Sequence, residues 1–176
     1  MLKRLPNRQA ILQVYAVIAV MLSGWTITAF LWKLSAWLLL LNLSEIFTIF
    51  SYSMVANLIE SLTVLLLLLI VCVLLPASVL CDDFVVRGTI LAAGLIGALM
   101  AFVRLHMQIG IDSGVKLLIG PLVVLLLTAL LLGFQPKLRF AHSAVLWISD
   151  RMLVFLYILV PVYVGLLAYI IFRNIG

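Results

Sequence analysis

The residue in this chain with the most capacity for chemistry is an acid in an apolar surrounding. Glu60 stands inside the run Val55 to Leu75, with Asn57 one helical turn before it and Thr63 one turn after. A lone charge at the centre of a bilayer costs at least about 2.5 kcal/mol, so such a group pairs, faces a water-filled cavity or reaches for the interface. Arg104 lies a few residues below the outer end of its own apolar run, at a depth comparable to that of Glu60. Consecutive antiparallel helices are usually neighbours. The sequence therefore predicts a Glu60–Arg104 ion pair that fixes register between two helices. A proton, cation or headgroup site at Glu60 is the functional alternative, and snorkelling to water the third.

The other ionisable residues define no catalytic set. His106 follows Arg104 by two residues near one membrane face, and His142 opens the last apolar run near the other. Two histidines at opposite depths cannot clamp one haem, and neither has a second metal ligand beside it. Asp150 and Arg151 share a membrane side with Asp82, Asp83 and Arg87, an ionic cluster of the kind that closes the loop face of a bundle. No nucleophile elbow, H-E-x-x-H pair or phosphate-binding loop is present in the sequence. The expectation is no catalytic residue and no metal. Cofactors stay unknown, because a pigment or quinone held by apolar contacts leaves no motif.

The elements that would position these residues follow from composition. Of 176 residues, 67% are apolar and 10% charged, against roughly a quarter charged in soluble domains. The mean hydropathy is +1.39. Runs such as Val64 to Leu75 and Leu122 to Leu132 are continuous, without the period-two alternation of barrel strands. The expected fold is all-α: one integral-membrane domain over 1–176, a polytopic bundle of five spans at about 10–32, 45–75, 84–108, 116–132 and 146–172. The basic start Lys3-Arg4 precedes an apolar run too long for a secretory signal, so an uncleaved first span is expected. The stretch 34–43 is too short to cross; it is interfacial, re-entrant or an extension of the first span. Asn42 and Glu45 read as a capping box opening the second helix. Asp82-Asp83 read as the start of the third, and Pro161 predicts a kink in the last.

Two patterns speak to assembly. Ala93, Gly97 and Ala101 recur every four residues, with Gly88/Ala92 and Gly94/Ala98 beside them. Small residues at that spacing let backbones approach in lipid, which predicts that the third span is the central packing helix. Leu65 to Leu69 and Leu122 to Leu132 read as lipid-facing. Cys72 and Cys81 are expected as inert small apolar residues at a reducing, cytoplasmic end.

Lysine and arginine set the orientation. With the N-terminus cytoplasmic and the C-terminus outside, inner segments carry Lys3, Arg4, Arg8, Arg87, Lys137, Arg139 and Arg151, seven residues, against Lys33, Arg104, Lys116 and Arg173, four. These residues sit at loop ends, where headgroups account for them, so the charge of +5 implies no nucleic-acid partner. The expected partners are the lipid bilayer and other transmembrane subunits, and the expected location is a bacterial inner membrane. The leading expectation for function is a non-catalytic subunit or scaffold of a larger membrane complex. The first alternative is a small transporter or channel using Glu60. The second is a membrane enzyme or binder of a lipid-linked substrate, with an outer-face site at Arg104 and His106.

Overall fold

The computed structural model describes the backbone of residues 6–74, 80, 83–109, 114–134 and 139–175. It describes the side chains of these except 105, 107–109, 114–118, 131–134 and 139–141. The protein is all-α, with five helices: α1 Arg8–Leu40, α2 Leu43–Leu74, α3 Phe84–Ile109, α4 Gly114–Phe134 and α5 Arg139–Ile175. Four of them, α1, α2, α3 and α5, are long and apolar enough to cross a membrane, as an integral membrane protein requires. The apolar part of α4, Ile119–Leu130, is shorter.

Helix boundaries follow from local chemistry. The stretch 34–40 continues α1, which ends where Leu41 turns to extended backbone and its N–H bonds the Trp37 carbonyl at 2.8 Å. At the start of α2 the Asn42 N–H donates to the Glu45 carboxylate at 2.9 Å, satisfying a donor that the first helical turn leaves open. At the start of α3 the Asp83 carbonyl accepts the Arg87 N–H at 3.0 Å; Asp82 lies outside the described residues. Pro161 sits within α5, which is helical on both sides of it. Serine and threonine within the helices bond back to the preceding turn, as Thr63 does to the Ile59 carbonyl at 2.8 Å, so their hydroxyls are satisfied even where the helix meets lipid.

The centre of the bundle is α1. Its residues Val14, Tyr15, Ala16, Val17, Ile18 and Ala19 are all buried, an unbroken stretch that meets protein on every side. Val14 and Ile18 join Leu68 and Cys72 of α2 with Phe84, Ala92 and Ile96 of α3 in one core. On its other side, Tyr15, Ala16 and Ala19 pack against Leu156 of α5. Met54 of α2 and Tyr163 and Leu166 of α5 form a third cluster toward the opposite end. α3, expected as the central packing helix, also touches every other helix of the bundle. α3 packs on α1 and α5 along one flank and carries α4 on the other. Leu68, read as lipid-facing, belongs to the core. Cys72, read as an inert thiol, is disulfide-bonded; the other cysteine, Cys81, lies outside the described residues.

The small-residue face of α3 works mainly through its second row. A Cβ built on Gly94 would stand 2.7 Å from the Cβ of Thr128 in α4, so these two helices meet at a distance only glycine permits. At Gly97 the nearest atom would be Val124 Cγ1 at 3.6 Å, an ordinary contact. Ala93, Gly97 and Ala101 are half-buried, whereas Ala92, Gly94 and Ala98 are buried.

Candidate functional site

Glu60 does not meet Arg104. Neither residue takes part in an ion pair or hydrogen bond among the described residues. The reason lies in the packing of α1. At the level of Leu68 and Leu95, α2 and α3 are separated by an apolar cleft of about 280 Å³, bounded on a third side by Leu125 and Thr128 of α4. The strongest polar tie of α2 at mid-height is to α1: the Thr26 hydroxyl donates to Asn57 Oδ1 at 3.0 Å. Since Asn57 and Glu60 share a face, that bond turns Glu60 toward α1.

There Glu60 lines an open-sided groove between α1 and α2 of about 360 Å³. Its walls include Trp25, Thr26, Lys33 and Trp37 from α1 and Ser53 and Asn57 from α2. Asn57 is only 4% exposed. Its amide nitrogen has as partner only the weak acceptor Met54 Sδ at 3.9 Å, so a second N–H is left to give. Lys33 has no partner among the described residues. One acid, one base, one spare amide donor and two indoles therefore line a single recess on an otherwise apolar surface. Rings close its upper end, where Phe30 stacks edge-on against Trp37 at 5.4 Å and Phe50 at 5.0 Å.

The groove walls are pinned by hydrogen bonds that cross between helices. Ser23, 2% exposed, shares a hydrogen with Tyr163 of α5 at 2.5 Å. Ser61 donates to the Tyr15 hydroxyl at 3.4 Å, and Gln13 to Asp150 at 3.5 Å. Tyr15, Ser23, Thr26 and Lys33 lie along one stripe of α1 at helical spacing. The stripe gives α1 a polar seam facing α2 and α5. At the far end of α5, Arg173 bonds Thr48 and the Tyr169 hydroxyl, the latter at 3.1 Å, and Tyr52 donates to Asn174 at 3.1 Å. These ties hold α2 against α5 and so fix the back of the groove.

The remaining predicted positions fall elsewhere. His106 stacks on Phe102 at 6.2 Å, and Arg104 beside it is exposed. Asp112, in the turn that follows α3 in sequence, lies outside the described residues, as does the side chain of Lys116. Of the predicted loop-face cluster, Asp82 lies outside the described residues. Asp83 bonds His142 Nε2 at 2.9 Å, while Asp150 takes Gln13 and Arg151 lies over the Trp147 ring at 5.5 Å. Among the described residues no group of three histidine, cysteine, aspartate or glutamate side chains could hold a metal ion. Sequence reasoning singled out Glu60 and Asn57 but missed Lys33, Trp25 and Trp37 as parts of the same recess. Lys33 had been read only as a basic residue at the headgroup level, and only the α1–α2 pairing brings it and the two indoles to the acid. Comparison with family models, with curated proteins and with solved structures found no match.

Proposed function

We propose that the protein is a small integral-membrane transporter whose working site is the α1–α2 groove, with Glu60 binding a positively charged group. The observation that supports this is a carboxylate with no partner of its own in a recess it shares with an unpartnered lysine and a half-satisfied buried amide. An acid in this setting is costly unless a ligand, a proton or water compensates it. The recess is bounded by helices whose register is set by side-chain bonds, as a binding site needs if its geometry is to persist. The accessory-subunit reading assigns no residue a task, and the outer-face reading rests on an Arg104 and a His106 that are both exposed. Five spans in a bacterial inner membrane, with the N-terminus cytoplasmic, belong to the same proposal. Seven basic residues against four support this orientation.

Proteoliposomes test the reading through passage across the bilayer of labelled molecules that carry an ammonium group, from choline and ethanolamine to membrane lipids. Passage above that in protein-free vesicles, lost in Glu60→Gln, is the expected result. No passage in the wild type, together with stoichiometric proteins co-purifying in mild detergent, would replace the transporter with the subunit.

A further inference from the structure

We infer that the ligand of this groove is a lipid-borne zwitterion, an ammonium joined to a phosphate, with the ammonium at Glu60 and the phosphate at Lys33. This rests on the assignment of the groove as the binding site and names the chemical class that fits it.

Charge balance is the first argument. The groove carries one acid and one base and no further ionisable side chain. A simple cation would satisfy Glu60 and be repelled by Lys33, and a simple anion would do the reverse. A zwitterion satisfies both and leaves the filled groove neutral, which matters where surrounding hydrocarbon penalises net charge.

The second argument is spacing. The Thr26–Asn57 bond sets a common level on the two antiparallel helices. Lys33 lies seven residues beyond Thr26 toward one end, and Glu60 three residues beyond Asn57 toward the other. At about 1.5 Å per residue their backbones stand roughly 15 Å apart along the axis. A lysine stem, a glutamate stem and one phosphate-to-ammonium spacing fill that distance together. Between the two charges lie the spare N–H of Asn57, a donor for a phosphate oxygen, and the ring of Trp25, whose face attracts ammonium groups.

The third argument concerns the route of entry. The groove opens sideways, and large apolar residues stand exposed on the same helices beside it: Ile27 and Leu31 on α1, Ile59 and Leu62 on α2. A soluble metabolite would gain nothing from this border. A molecule with acyl chains covers it while its headgroup enters the recess. The polar end is thus held between two charges, and the apolar end stays in the bilayer.

Native mass spectrometry tests the assignment on the full chain released from mixed micelles of equimolar phosphatidylethanolamine and phosphatidylglycerol. The wild type should retain phosphatidylethanolamine about tenfold over phosphatidylglycerol, the ratio expected from one additional charge-assisted contact. Glu60→Gln should bring that ratio close to one, because the anionic lipid still finds Lys33. Lys33→Gln should lower retention of both lipids. Should Glu60→Gln fail to fold, Lys33→Gln carries the test, and unchanged retention in it overturns the assignment. Equal retention of the two lipids by the wild type overturns it as well. Displacement of bound lipid by millimolar glycerophosphoethanolamine, which has the headgroup without the chains, would overturn the lipid-borne source. Choline uptake with no headgroup preference would sink this inference while leaving the transporter standing. Glu60-dependent lipid retention without passage across the bilayer would do the opposite.

Discussion

A threonine and an asparagine decide what Glu60 faces. Thr26 holds Asn57 at 3.0 Å, and the acid one turn on follows its neighbour to the α1 side. Depth along a helix is readable from sequence, because it is a count of residues. Direction around the helix is not, because it depends on which other helix arrives. The Glu60–Arg104 pairing was argued from depth alone and left the azimuth open. A double-mutant cycle between Glu60→Gln and Arg104→Leu should therefore give stability effects that add to within about 0.5 kcal/mol, as for sites without shared partners. Coupling clearly larger than that, measured by thermal or denaturant unfolding in detergent, would restore the pair.

At the scale of elements, α3 and α4 form the closest helix contact that glycine permits. Gly94→Ala should destabilise the protein, because the added methyl meets the stiff, branched side chain of Thr128 and only separation of the helices relieves the clash. Overpacking of this kind costs about 1–3 kcal/mol. Gly97→Ala places its methyl at ordinary contact distance from Val124 and should be nearly silent in the same melt. Equal effects of the two substitutions would mean that the helices do not meet along the Gly94 row. The spacing of small residues on α3 was visible in the sequence, but the row that touches α4 was not. Both rows satisfy the pattern, and the choice between them is made by one threonine 34 residues later. The capping box at Asn42 and Glu45 was legible because its two partners are three residues apart. The burial of α1 was not. An apolar helix surrounded by protein and one surrounded by lipid draw on the same residues, since lipid tails are as apolar as leucine.

For the whole molecule, the Gln13–Asp150 and Asp83–His142 bonds bring the N-terminal parts of α1, α3 and α5 to one end of the bundle. Reporter fusions at positions 82 and 137 should register the cytoplasm, with those at 112 and 176 registering the opposite side. The reverse pattern would invert the molecule, and would give the Cys72 disulfide the oxidising surroundings in which such bonds persist.

The central position of α1 also bears on how the chain is assembled. Ser23 is made 140 residues before Tyr163, the hydroxyl it shares a hydrogen with. At about 5–20 residues per second of synthesis, that gap lasts on the order of ten seconds. Throughout it α1 exists as a helix whose Gln13 and Ser23 lack the partners that α5 supplies, while Tyr15 and Thr26 can already bond α2. A ribosome stalled between the two would leave that helix in the bilayer with one side of it uncovered. The last helix to emerge is therefore the one that completes the packing of the first.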